Sequence, residues 1–330
     1  MIATLISSRS VQLLAVAWVV AILLAYWLGA DGLPFERPEL ESIPVIGQTV
    51  VFPVVVITIY LPIVLGVTYL ITRRRAIPDI SNRAPEKALA LKEMLLLLAY
   101  GAGALILGQV IGRLVWGEGI GLHLHGSVLG ATTDMAPGAV IGWTAYNFVA
   151  YAVIPYVIFR MRAYGHEALS LKSSNIKNDA VLVLVILAMG VALDLATTDI
   201  FDLTGSQVLT GLPLTFAIYL FGTAIPVMIF LYCILLPRYL KLSGSVAATV
   251  ILGGLTYAAL HIFEYWTVYD TMTNSILSVL FVFHLFTVPG MVKSFLTLRT
   301  GNAWVHVWAY HAFSPHLTLD TPNIVRFFKL

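Results

Sequence analysis

The sequence predicts an all-α protein, a polytopic bundle of about eight or nine transmembrane helices. Three observations carry that expectation. Hydrophobic residues make up 59% of the 330 and charged residues only 11%, with a mean hydropathy of +0.90, whereas soluble domains carry about 25% charged residues. The apolar residues gather into runs near the ~20 residues that a helix needs to cross a bilayer. The charges between those runs alternate in sign from loop to loop. Helix is the only open choice for such runs, because lipid offers backbone N–H and C=O groups no partner, and barrel-type alternation is missing.

The runs fall at about 11–29, 46–71, 89–116, 138–160, 180–197, 212–236, 245–264, 274–296 and 302–318. The first follows Met1–Ser10, with Arg9 as its one positive charge, and no small-x-small cleavage site follows Trp27, so it reads as a retained helix. The third contains Gly108-Gln-Val-Ile-Gly112, a spacing that lets two helices approach closely. The fifth carries Asp194. The sixth carries Cys233, the sole cysteine, which rules out an intramolecular disulfide or a CxxC metal site. The seventh ends at His261 and Glu264, and His284 sits within the eighth. The ninth is short and rich in Trp and His, as expected of a segment that is partly interfacial or reaches only mid-depth.

Basic residues mark every second loop: Arg73, Arg74, Arg75, Arg83 and Lys87; Arg160, Arg162, Lys172 and Lys177; Arg238 and Lys241; Lys293 and Arg299. Acids and histidines fill the others: Asp31, Glu36, Glu39 and Glu41; Glu118, His123, His125 and Asp134; Asp199 and Asp202; Glu264 and Asp270. By the positive-inside rule the amino terminus is cytoplasmic, and the compact topology points to the cell membrane. One membrane domain suffices, divided into accessory helices at 1–137 and a core at 138–330. The lipid bilayer is the first partner implied, and a membrane-embedded peptide or protein the second. A net charge of +2 without a basic, aromatic-interleaved patch gives no sign of nucleic-acid binding.

The second half carries a series of landmarks. They are Ile154-Pro-Tyr-Val-Ile-Phe-Arg-Met-Arg ahead of Glu167, Ala224-Ile-Pro-Val-Met-Ile-Phe-Leu-Tyr-Cys-Ile-Leu-Leu-Pro-Arg238, Tyr257-Ala-Ala-Leu-His261, and Arg299-Thr-Gly-Asn-Ala-Trp304 leading to His311. In this order they resemble the CPBP family of CAAX prenyl proteases and bacteriocin-processing intramembrane endopeptidases. The resemblance implies a helical membrane core and hydrolysis of membrane-embedded peptides. Val227, Met228 and Tyr232 stand where the family's EExxxR motif has its two glutamates and its arginine. Pro315 stands four residues after His311, where the family has Asn or Asp.

His261, Glu264 and His311 are therefore the candidate catalytic residues, and His261, His311, Asp194 and His306 the candidate ligands of a divalent metal such as zinc. His261 and Glu264 are three apart and share a helical face, so Glu264 can orient the imidazole or serve as base in place of the missing pair. An intramembrane carboxylate such as Asp194 asks for a partner. His306 and His311 are five apart, about 140° around a regular helix, which keeps them from one ligand unless the helix is irregular. His284, in Phe281-Val-Phe-His-Leu-Phe286, reads as a core histidine bonded to an oxygen. His123-Leu-His125 is a weak HxH signal, His316 lies with His311 toward the outward end of the ninth run, and Asp199, Asp202 and Asp320 fit loops and turns. Three functions follow: a rearranged CPBP-type hydrolase, a non-catalytic membrane scaffold or interaction partner of the same fold, and a membrane subunit with haem on His261, His284 or His306.

Overall fold

The computed structural model describes residues 8–35, 43–117, 124, 128, 134–195, 198–314 and 316–330, and among them helix is the only regular structure. The chain runs through α1 (Arg9–Leu28), α2 (Gly47–Thr72), α3 (Lys87–Trp116), α4 (Pro137–Met161), α5 (Ile176–Asp194) and α6 (Gly205–Ser243). It continues through α7 (Val246–Leu260), α8 (Met272–Thr300) and a short terminal α9 (Thr321–Phe328). Among the described residues seven helices, α1 to α6 and α8, are long and apolar enough to cross a membrane. That corrects the expected eight or nine. α7 is apolar but has only 15 residues. The run at 302–318 is not one helix: a turn at Trp304–His306 widens at Val307–His311, and a second wide coil forms at His316–Asp320.

The outer surface is apolar. Val16, Val19 and Leu23 of α1, Val51 and Val54 of α2, and Leu95 and Leu107 of α3 all lie exposed. Patches of that kind are untenable in water and ordinary in lipid. The chain is a multi-pass helical membrane protein.

Prolines shape the helices. Among the described residues seven stretches are wound as wide turns with i→i+5 bonding, and six of them end two residues before a proline. The prolines are Pro53, Pro62, Pro155, Pro226, Pro237 and Pro322. Proline has no N–H to donate, and its ring crowds the carbonyl four residues back. Opening the preceding turn by one residue relieves that clash while the chain stays helical.

α6 is the central helix. Every residue from Val227 to Arg238 is buried, and Phe230 fills the space left by Gly101 of α3. α7 crosses α8 where both lack side chains: a Cβ on Gly290 would lie 2.6 Å from Tyr257 Cβ and 2.9 Å from Gly254 Cα. Small residues allow this approach in membranes, where packing has to stand in for the hydrophobic effect.

The loops that carry most of the basic residues meet at one end of the bundle. Arg75 donates to Asp179 at 2.5 Å and to the Thr300 carbonyl at 3.0 Å. Arg83 donates to the Gly301 carbonyl at 2.7 Å and to Ser170, and Asn302 reaches Asp179 at 3.0 Å. Gly301 has φ +66°, left-handed, as a glycine ending a helix commonly does. Two cations that the sequence placed in loops are instead buried inside helices. Arg238 of α6 is 1% exposed and bonds Glu93 of α3 through Nε at 2.9 Å and Nη2 at 2.7 Å, with Tyr164 and Arg162 on the same carboxylate. Lys293 of α8 is also 1% exposed.

Candidate functional site

The glycine contact between α7 and α8 determines what lies beside it. With Tyr257 pressed on Gly290, the phenol meets Lys293, which lies three residues on and therefore on the same face of α8. Lys293 Nζ donates to Tyr257 Oη at 2.5 Å and stands 3.8 Å from the Tyr257 ring centroid and 5.2 Å from that of Tyr310. With Nζ as donor the phenolic oxygen accepts, and the phenol's own proton is directed to His311 Nε2, 3.3 Å away. Lysine, tyrosine and histidine thus form a polarised chain inside an apolar bundle.

The histidine segment is built on wide turns. Turns closed by i→i+5 bonds bring residues five apart to the same side, and His306, His311 and His316 have that spacing. Their rings form a file, with centroids 5.9 Å apart from His306 to His311 and 5.4 Å from His311 to His316. This overturns the expectation of divergent rings, which assumed a regular helix. His306 packs on Tyr232, with centroids 4.3 Å apart. His316 stacks on Tyr219 and bonds Asp320 through Nδ1 at 2.8 Å, so Asp320 is more than a turn residue. All three histidines are buried. Both nitrogens of His306, Nδ1 of His311 and Nε2 of His316 lack a hydrogen-bond partner among the described residues.

His261 and Glu264 lie just past α7, in tight turns rather than on the helix itself, yet they still face each other. The His261 ring stacks on Phe286, and its Nδ1 is 2.7 Å from the Tyr257 carbonyl. A carbonyl only accepts, so Nδ1 carries the proton and Nε2 is the bare acceptor. Nε2 lies 4.0 Å from Glu264 Oε1, too long for a direct bond. Asp194 ends α5 and accepts from the hydroxyls of Ser314 and Thr318.

A cavity of about 560 Å³ opens between α2, α5, α8 and the histidine segment, within the ~300–1,000 Å³ of small-ligand sites. Phe52, Val55 and Ile59 of α2, Leu193 of α5 and Leu285 and Pro289 of α8 give it apolar walls. Its polar lining is Tyr60, Asp194, Tyr257, Glu264, Lys293, Tyr310, His311, Ser314 and His316. Of the residues expected from sequence, Glu264, His311 and Asp194 reach the cavity. His261 and His306 pack behind its lining. His284 joins neither group, because its ring packs against Trp18 of α1 and Phe281, with no oxygen bonded to it among the described residues. His123 and His125 lie outside the described residues. Lys293, Tyr60 and Tyr310 were not expected. A lysine three residues after a glycine in an apolar run was the one signal for them.

The donors do not fit a metal ion. Among the described residues no three His, Cys, Asp or Glu side chains converge as one requires. Nδ1 of His261 is committed to a carbonyl and Nδ1 of His316 to Asp320, which leaves each Nε2 bare, and Asp194 accepts from two hydroxyls. Val227 and Met228 are enclosed in the apolar interior of α6. Fold and site together define a multi-pass helical membrane protein with a polar-floored cavity inside the bundle. No protein-family profile, curated protein or solved structure matches the chain.

Proposed function

We propose that the chain is a divergent CPBP-type protein of the cell membrane, amino terminus cytoplasmic, that hydrolyses an acyl bond of a membrane-embedded substrate such as a peptide. One observation carries this: the Glu264 carboxylate lines an intramembrane cavity and faces the bare Nε2 of His261 at 4.0 Å. Two acceptors at that separation suit one water donating a proton to each. Such a water presents its lone pair away from both, toward the cavity. Its oxygen attacks the substrate carbonyl carbon, Glu264 takes the proton released, and the leaving amine or alcohol receives it as the acyl bond breaks. His261 is held in the required tautomer by the Tyr257 carbonyl and acts as a positioning residue. No metal is needed for these steps.

The test is turnover of fluorogenic peptides in proteoliposomes. Glu264→Gln should lower kcat by roughly 10²–10⁴, the usual contribution of a general base, while thermal unfolding stays unchanged. Wild-type turnover that survives both Glu264→Gln and His261→Ala would refute the catalytic assignment. A non-catalytic scaffold is the second proposal, supported by Val227 and Met228 at the glutamate positions. It expects no turnover from the wild type and only packing consequences from His261→Ala and His311→Ala.

A further inference from the structure

We infer that the cavity is a binding site for a single-chain amphiphile with an anionic carboxylate head, anchored by Lys293 and Tyr257. The inference shares the cavity with the hydrolase proposal but does not depend on catalysis.

Lys293 is the starting point. Its ammonium is 1% exposed and inside a helix of membrane-spanning length. Among the described residues no carboxylate pairs with it. Among the described residues the one other Lys or Arg buried to that degree, Arg238, does have one in Glu93. An ionised group kept in an apolar interior without a counter-charge is costly, and intramembrane ionisable residues mark binding or transport paths. Lys293 faces a cavity instead of a partner. The Tyr257 hydroxyl and two aromatic faces hold its Nζ in place, so a ligand meets a fixed donor and little side-chain freedom remains to be lost on binding.

The rest of the cavity sets the class of ligand. Its α2 wall is a stripe of aliphatic and aromatic residues, Phe52, Val55 and Ile59, suited to a hydrocarbon chain. The other charged groups in the lining fix the direction. Asp194 is engaged by Ser314 and Thr318, and Glu264 stands seven residues beyond Tyr257, in the turns past α7. Both carboxylates repel an anionic head and leave Lys293 as its place. An ammonium–carboxylate bond is short and charge-assisted, and a phenol beside it adds a second polar contact.

The probe is oleate, titrated against the full-length protein in nanodiscs by displacement of a fluorescent fatty acid. Oleyl alcohol and oleoyl lysophosphatidate serve as neutral and phosphate-headed comparisons. Wild-type protein should take oleate in preference to the alcohol, and Lys293→Met should weaken oleate roughly 10- to 100-fold, the value of a hydrogen bond to a charged group, with alcohol binding unchanged. Methionine keeps the stem volume and removes a buried charge, so folding is retained. Tyr257→Phe keeps the ring and is expected to weaken oleate less. Glu264→Gln should lower any turnover by roughly 10²–10⁴ and, with one repelling charge gone, bind oleate at least as tightly as wild type, which separates failure of this inference from failure of the hydrolase. Equal affinity for acid and alcohol, or oleate affinity indifferent to Lys293→Met, overturns the inference. Lysophosphatidate bound more tightly than oleate in a Lys293-dependent way overturns the carboxylate assignment.

Discussion

Gly290→Ala puts a methyl group where α7 and α8 touch. The new Cβ would fall 2.6 Å from Tyr257 Cβ, 2.9 Å from Gly254 Cα and 3.0 Å from Tyr257 Cγ. Carbon atoms rest at about 3.5–4.0 Å, so the helices must part by about 1 Å. Overpacking of this kind costs about 1–3 kcal/mol, and alanine's better helix propensity returns up to about 1 kcal/mol. The expected net loss is about 0.5–2 kcal/mol in thermal or denaturant unfolding of the purified protein. The same movement draws Tyr257 Oη away from Lys293 Nζ, now at 2.5 Å, so oleate affinity should fall together with stability. Gly66→Ala and Gly103→Ala are internal controls, because a Cβ at either position meets nothing within 4 Å. They should be neutral or stabilising by up to about 1 kcal/mol. If Gly290→Ala is as stable as the controls and binds oleate normally, the helix contact does not position the Tyr257–Lys293 pair.

Other perturbations probe the remaining parts. Glu93→Gln strands Arg238 and should cost about 3–5 kcal/mol, and a double-mutant cycle with Arg238→Met should recover part of that loss. Placing an acid with Met228→Glu, where the resemblance to CPBP proteins expects one, buries an unpaired carboxylate in apolar surroundings; it should lower stability by several kcal/mol and confer no peptidase activity, as unfolding and turnover assays will show. Gly301→Ala strains a residue at φ +66° and drives a Cβ to 2.7 Å from Pro78, so the variant should unfold at lower temperature than wild type. Elemental analysis of purified protein should find no stoichiometric zinc that depends on His261 and His311.

Much of the architecture was legible because it follows from composition. The bilayer requires apolar runs, and the alternating loop charges gave the register that brings Arg75, Arg83 and Arg299 to one end. The approximation failed at α7 and after Trp304, where hydropathy counts residues but does not see whether they continue one helix. Within the site, Glu264, His311 and Asp194 could be singled out because ionisable residues in apolar runs stand out. Lys293 and Arg238 were hidden by the same rule that worked elsewhere: a cation near the end of a span looks like a loop residue. What distinguishes them is a partner distant in sequence, 145 residues away for Arg238 and Glu93 and 36 for Lys293 and Tyr257. The file of histidines was misjudged because 3.6 residues per turn was applied to a stretch wound more loosely.

The turn at Thr300–Asn302 hands the chain from α8 to the histidine segment, and it is gripped by Arg75 and Arg83 from a loop between two other helices. That grip ties the α2–α3 loop to the start of the segment that lines the cavity. Its two arginines hold backbone carbonyls at one membrane surface, and the chain beyond that turn winds directly into His306 and His311. A protein or lipid that drew Arg83 away from the Gly301 carbonyl would loosen the fixed start from which those rings are spaced.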